Sequence, residues 1–142
     1  MREEFVVSDE NLQKLCAEWR DRLRLNSWDI AAGVYRASDF VNENCIGENT
    51  FDLETGRSVI KVLDSIDYPK DSWFPQDMEV ILVHELLHLH FDPFCPEENT
   101  LQHQFMERTI ERLAITLVDL KRERTEREEN ETCLNCVKTK CN

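Results

Sequence analysis

Five consecutive residues of this chain have the types and the spacing that a catalytic metal ion requires. Positions 84 to 88 read HELLH, within an apolar stretch from Met78 to Phe91. On an α-helix, residues four apart lie about 40° apart on one face, so His84 and His88 can direct two imidazole nitrogens at one ion. Glu85 lies one step round the helix, beside the ion's open position. The pattern predicts two zinc ligands and a general base for hydrolysis by a metal-activated water.

The residues around this motif favour a metal site over a purely structural role. The neighbouring apolar side chains predict a helix that is buried nearly all round. They are Val80, Ile81, Leu82, Val83, Leu86, Leu87, Leu89 and Phe91. Two imidazoles and a carboxylate in such a helix are costly unless they have partners or a function. The alternative is that hydrogen bonds in the core satisfy them.

A catalytic zinc ion usually takes three protein ligands, so a third residue must come from elsewhere in the chain. The candidates are His90, His103, Glu107 and Glu111. His90 lies about 200° round the helix from His88, which places it on the opposite face. We therefore predict that His90 is a residue of the helix end or of the surface.

The last helix of the chain supplies the strongest candidate. If Ile110 marks the core-facing direction of this helix, four apolar residues lie within about 60° of that direction around the helix axis. They are Met106, Leu113, Ala114 and Leu117. Glu107 also lies at about 60°, and a carboxylate on an apolar face is unusual, whereas Glu111 lies at about 100°. Glu107 is the predicted third ligand, and the alternative is a surface ion pair with Arg108 or Arg112.

Two further residues of that helix have predicted roles beside the metal. His103 lies at about 20°, one turn before Glu107. It is an alternative ligand, a cleft residue that helps to hold a tetrahedral intermediate, or a donor to a carbonyl. Glu111 is predicted to accept the free ring N–H of His84 or His88, which fixes the orientation of a ligating histidine.

The elements that position these residues predict an α+β domain. The order is an N-terminal helix, about three strands, the motif helix and a long C-terminal helix. The predicted helices are 8–25, 78–91 and from 99 or 100 to about 121, and the strands are 28–35, 45–51 and 57–63. Residues 1–124 form the domain. The charged run from Lys121 to Glu129 either continues the helix in solvent on i,i+4 pairs or frays. Residues 125–142 are a charged, flexible tail whose last dozen residues are expected to be disordered unless a metal orders them.

Three of the six cysteines lie in that tail. Cys133 and Cys136 have the C-x-x-C spacing of a metal knuckle, and Cys141 follows five residues later. A structural zinc site there needs a fourth ligand, such as Cys95 or a residue of a second chain. The alternative is an unstructured tail with reduced thiols, because a single C-x-x-C is a weak signal.

Composition limits the location and the partners of the chain. Its 142 residues suit one domain, and the N-terminus shows no signal peptide, so a cytoplasmic protein with reduced thiols is expected. Cys16 and Cys45 are predicted core residues. No apolar run reaches membrane-spanning length. The net charge of −12 argues against nucleic acid as a partner.

These motifs resemble those of the zincin metallopeptidases, in particular the gluzincin type. In that group a later helix supplies a glutamate ligand, often within E-x-x-x-D. The matching stretch here begins at Glu107, 19 residues after His88, with Glu111 in place of the aspartate. The region from Asn11 to Leu120 also resembles small single-domain metallopeptidase-like proteins of phages and prophages.

The resemblance implies a minimal zincin-like fold and a zinc-dependent peptide-bond hydrolase. One edge of the sheet would bind an extended peptide or protein substrate by strand addition. Larger gluzincins carry an oxyanion-stabilising histidine or tyrosine in a region that this chain lacks, and Tyr35, Tyr68 and His103 are its candidate replacements. The alternative function is an inactive, zinc-stabilised module that binds another protein. A third is self-processing within the charged tail.

Overall fold

The computed structural model describes residues 2–139 and has the predicted α+β architecture. Two single 3-10 turns, Ala37–Asp39 and Asp92–Phe94, were not predicted. The main elements are α1 (Asp9–Arg22), β1 (Asp29–Tyr35), β2 (Gly47–Asp52), β3 (Arg57–Leu63), α2 (Met78–Phe91) and α3 (Leu101–Thr139). Except at the end of α3, the bounds lie close to the predicted ones. Ser8 caps α1 by accepting a hydrogen bond from the N–H of Asn11.

The three strands form a mixed sheet in the order β1-β3-β2. The central strand β3 is parallel to β1 and antiparallel to β2. The turn between β2 and β3 contains Gly56 with φ of +66°, a conformation that favours glycine. Because β3 is the central strand, β2 is an edge strand, and one side of its main chain has no neighbour in the sheet.

The hydrophobic core lies between the sheet and the helices. Inward-facing Ile60 and Val62 of β3 alternate with Val59 and Lys61, as expected for a half-buried strand. α2 packs against β2, β3, α1 and α3. Its residues are buried almost all round, which confirms the prediction for the motif helix. Cys16 is also buried in the core, as predicted.

The face of α3 that packs against α2 differs from the predicted one. Ile110, Ala114 and Val118 are fully buried, whereas Leu113 is 38% exposed, so its predicted place in the core is wrong. The buried face is centred on Ala114, about 40° round the helix from the assumed direction at Ile110. This rotation turns Glu111 away from the boundary and towards α2.

α3 continues through the charged run 121–129, which is one of the two predicted alternatives, and ends at Thr139. It has 39 residues, which corresponds to a length of about 58 Å. The prediction that the last dozen residues lack regular structure is wrong for residues 131–139, which are helical. Helix-favouring charged residues explain the extension, including the pair Arg124 and Glu128 at 2.8 Å. No described helix is long and apolar enough to cross a membrane.

Candidate metal site

His84, His88 and Glu107 come together on the facing sides of α2 and α3. The Nε2 atoms of the two histidines lie 3.2 Å apart. The carboxylate oxygens of Glu107 lie 3.3 Å from Nε2 of His84 and 3.5 Å from Nε2 of His88. Within residues 2–139, this is the one group of three or more potential metal-binding side chains whose ligand atoms lie within 4.8 Å of one another. The predicted third ligand thus lies beside the motif.

The spacing of these atoms fits a single tetrahedral ion. Zinc–ligand bonds of roughly 2.0–2.1 Å at tetrahedral angles place neighbouring ligand atoms about 3.3–3.4 Å apart. The two imidazole nitrogens, 3.2 Å apart, and the contact of 3.3 Å between Nε2 of His84 and Oε2 of Glu107 are close to this value. The contact of 3.5 Å with His88 is made by the other carboxylate oxygen, Oε1. Two imidazoles and one carboxylate are also a suitable donor set for zinc. These three side chains are thus a group that could hold a metal ion, and they are called the metal-binding group below.

Glu111 fixes the orientation of His84. Its Oε2 lies 2.8 Å from Nδ1 of His84, so the ring donates its Nδ1–H to the carboxylate and leaves the Nε2 lone pair directed at the site. Burial alone lowers the pKa of His84. Its hydrogen bond to Glu111 and the nearby carboxylates raise the pKa by more, so the net shift is upward. Burial lowers the pKa of His88. Both effects describe the imidazoles without a metal ion.

Glu85 lines the same groove, beside the metal-binding group. Burial raises the pKa of its carboxyl to about 7, and the neighbouring charges of Glu107 and Glu48 raise it further, against the effect of His84. A carboxyl with this pKa exchanges a proton readily near neutral pH. That property suits a group that both accepts and returns a proton.

The edge strand β2 holds the helix at Glu85. The Nδ2 amide of Asn49 donates to the main-chain carbonyl of Glu85 at 2.9 Å, and the hydroxyl of Ser58 donates to Oδ1 of Asn49 at 2.7 Å. Sequence reasoning missed Asn49. The available signal was a pair of polar residues on the inward face of adjacent strands, where apolar side chains are usual.

The metal-binding group lies in an open groove of about 610 Å³ between β2, α2 and α3. The loop before β2 forms one wall with Asn42, Asn44 and Cys45. Cys45 is half-buried and faces this groove, so its predicted place in the core is wrong. The cause is that the chain becomes regular strand only at Gly47, two residues later than predicted.

A buried carboxylate organises that loop. Glu48 accepts hydrogen bonds from the main-chain N–H groups of Val41 at 3.0 Å and Asn42 at 3.3 Å. Lys61 approaches Glu48 at 3.8 Å and donates to the carbonyl of Asp39 at 2.6 Å. β2 therefore fixes the loop on one side and the helix on the other.

The three residues that the sequence offers as oxyanion stabilisers lie in different parts of the structure. His103 lines the groove, with Nε2 3.8 Å from Oε1 of Glu107. Tyr35 lies on β1, at the opposite edge of the sheet from β2, and does not line the groove. Tyr68 is also outside it, and its hydroxyl donates to the carbonyl of Phe74 at 3.2 Å. His103 is thus the one candidate for oxyanion stabilisation that the fold brings to the metal-binding group.

Two other predictions concern residues away from the groove. His90 is exposed, and its Nε2 donates to the carbonyl of Leu23 at 2.6 Å, so it is a helix-end residue as predicted. Cys133 and Cys136 are exposed and lie one turn apart on α3. Cys141 lies outside the described residues, so the tail metal site stays a prediction.

Comparisons with known proteins do not place the chain in a family. No protein-family model matches it, and neither does any curated protein or solved structure. The function must therefore be inferred from the metal-binding group and the groove around it.

Proposed function

We propose that this chain is a zinc-dependent peptide-bond hydrolase of the zincin type. One observation carries the proposal: the ligand atoms of His84, His88 and Glu107, one from each, lie within 4.8 Å of one another, and Glu85 lines the same groove. The groove is open, which suits an ion that keeps a coordination position for water rather than a closed structural site.

Each residue of the group then has a defined task. When bound, zinc supplies a Lewis acid that lowers the pKa of a water and polarises a carbonyl. His84, His88 and Glu107 hold the ion, and Glu111 keeps His84 in the ligating tautomer. The carboxylate of Glu85 takes the proton of the attacking water and delivers it to the leaving amine.

The free edge of β2 supports an extended peptide as substrate. The carbonyl of Ile46 accepts from the N–H of Leu63, so these two residues form a hydrogen-bonded pair of the ladder. The alternation of an antiparallel pair then turns the main-chain N–H and C=O of Gly47 and Asn49 away from β3, towards the open edge. A peptide that adds to this edge crosses the groove beside Glu85.

His103 is the proposed stabiliser of the developing oxyanion. Its side chain lines the groove close to Glu107. Its main chain is anchored at the start of α3, where the hydroxyl of Thr100 accepts a hydrogen bond from the N–H of His103 at 3.2 Å. A donor that is fixed before the reaction lowers the cost of reorganisation in the transition state.

The second candidate is an inactive, zinc-stabilised module that binds another protein. Its support is a pair of aromatic side chains in the loop before α2, Trp73 at 95% and Phe74 at 75% exposure. Exposed apolar side chains of this size are typical of contact surfaces. The two candidates share the metal and differ in the need for Glu85.

Metal content is the first test. The full chain, purified without chelator or a histidine tag, should contain about one zinc ion, and the double variant His84→Ala, His88→Ala should contain none. A variant with the three tail cysteines changed to serine provides the control, because it should keep the ion if the groove holds it. Zinc that follows the tail cysteines instead would contradict the proposal.

The substitution Glu85→Gln tests the reaction. It should keep the zinc ion and reduce cleavage of a peptide library by about 10²- to 10⁴-fold, the usual contribution of a general base. The measurement is cleavage followed by mass spectrometry, with metal content determined on the same samples. Equal cleavage by the variant and the native chain would rule out the proposed role of Glu85. Zinc binding without cleavage by the native chain would favour the binding module.

A further inference from the structure

Gly47 lies directly against the side chain of Glu85. An ideal Cβ at this position would lie 2.7 Å from Oε1 of Glu85 and 2.7 Å from Cγ2 of Ile81. It would also lie 3.2 Å from Cγ of Glu85. Real Cβ atoms essentially never come within 3.0 Å of another heavy atom, so a side chain at position 47 would force a neighbour to move.

The backbone of Gly47 does not itself require glycine. It is an extended residue of β2, and Gly56 is the glycine with positive φ among the described residues. Glycine also weakens a strand interior, because it loses more conformational freedom on folding and offers no side chain to pack. Glycine at position 47 therefore provides space, which the carboxylate of Glu85 and Cγ2 of Ile81 occupy.

The neighbouring contacts leave few ways to accommodate a methyl group. Asn49, two residues along β2, binds the main-chain carbonyl of Glu85, so the helix is held to the strand at this point. Ile81 is buried within the core. The carboxylate of Glu85 faces the open groove and is the group that can yield, which would move it from its place beside the metal-binding histidines.

We infer that Gly47 is a positioning residue, which together with Asn49 sets where the Glu85 carboxylate stands relative to the metal-binding group. The inference about reaction rate rests on the proposed hydrolase function. The steric coupling between Gly47 and Glu85 does not depend on that function, and it can be measured even if the protein has no activity.

Gly33 provides a matched control. It is also a strand glycine, on β1, and its ideal Cβ would lie 2.9 Å from Oδ1 of Asp9 and from Cε2 of Tyr35. Both side chains are exposed, and Oδ1 of Asp9 accepts a hydrogen bond from the N–H of Val34 at 2.8 Å, so the neighbours that must yield at position 33 lie on the surface. Gly33→Ala therefore reports the general effect of adding a methyl group to a strand of this sheet, away from the groove.

The first experiment measures melting temperature in four full-length proteins: native, Gly47→Ala, Glu85→Ala and the double variant. Overpacking at Gly47 should lower the melting temperature by about 5 °C in the native background. The shift should shrink by at least about half when Glu85 is alanine, because its carboxylate no longer occupies the space. Equal shifts in the two backgrounds, or no shift in either, would overturn the inference.

The second experiment measures rate and metal content. Gly47→Ala should keep one zinc ion and leave KM within about twofold, while kcat falls about 10²-fold, as expected for a misplaced catalytic group. Gly33→Ala should match the native chain in all three quantities. A normal kcat, or a loss that follows loss of zinc, would overturn the inference. An inactive native chain would count against the proposed hydrolase, while the melting-temperature comparison would still decide the coupling.

Discussion

The interface of α2 and α3 contains two charged clusters that differ in how their negative charge is balanced. At the start of α2, Glu79 is 2% exposed and lies against three donors. They are Nε1 of Trp19 at 2.8 Å, Nζ of Lys121 at 2.6 Å and the guanidinium of Arg122 at 3.0 Å. Asp77, which caps the helix, contacts Arg2 and Arg122. The protein itself supplies the cations of this cluster.

Two turns further along α2, the groove has carboxylates without such partners. Glu107 approaches three imidazoles and Glu111 approaches one. Among the described residues, no lysine or arginine lines the groove or forms an ion pair with Glu85, Glu107 or Glu111. Glu107 is 37% and Glu111 is 50% exposed, so water screens part of this negative charge. Under the proposed function, a bound zinc ion would supply the positive charge that the side chains lining the groove do not.

The largest effect should come from removing the charge of the third ligand. Glu107→Gln should abolish the stabilisation by zinc, which for the native chain is about 4 kcal/mol at a free zinc concentration 1,000-fold above Kd. Without metal, the variant should be at least as stable as the native chain, because an uncompensated carboxylate is gone. Urea unfolding with and without zinc measures both quantities. Glu123→Gln, exposed on the same helix, is the control.

The cluster around Glu79, called the balanced cluster because the protein supplies its cations, should show the opposite change in stability. Glu79→Ala leaves the cations of Lys121 and Arg122 without their buried partner and should destabilise the metal-free chain by about 3 kcal/mol. Both cations are partly exposed, so the value is at the lower end of the usual range. Zinc content should not change. A loss of zinc, or an effect no larger than that of the exposed pair variant Arg124→Ala, would show that the two clusters are not distinct.

The smallest of the three effects should come from the partner of His84. Glu111→Ala should weaken zinc binding by about 10- to 100-fold and leave the stoichiometry at one ion. Glu111→Gln should lose less, because its amide oxygen still accepts from Nδ1 of His84. Competition with a chromogenic chelator measures the affinities. Equal affinities for Ala, Gln and native chains would mean that this hydrogen bond does not orient the ligand.

The predictable part of the site comes from single helices. The spacing of His84 and His88 places both rings on one face of α2, and the apolar residues around them indicate burial. Glu107 was predictable because a carboxylate on an apolar face of α3 is unusual. Within one helix, sequence positions fix angles, so both predictions required only the periodicity.

The part that the sequence did not predict depends on how elements pack. The docking of α3 decides which of its residues face α2. The assumed core direction at Ile110 was therefore displaced by about 40°, and the burial of Leu113 was predicted wrongly. The contact of Asn49 with Glu85 joins residues 36 positions apart through the register of β2 on β3. The length of α3 was underestimated because its charged residues favour helix without burying any apolar face.

The three tryptophans give each part of the molecule its own fluorescent reporter. Trp19 is buried in the balanced cluster, with the ammonium of Lys121 5.4 Å from its ring centroid. Trp28 contacts Phe51, a residue that lines the groove, edge to face at 6.0 Å. Trp73 is 95% exposed to water. Because tryptophan fluorescence depends on polarity and nearby charge, single-tryptophan versions of the chain would report separately on the balanced cluster, the groove and the exposed loop before α2.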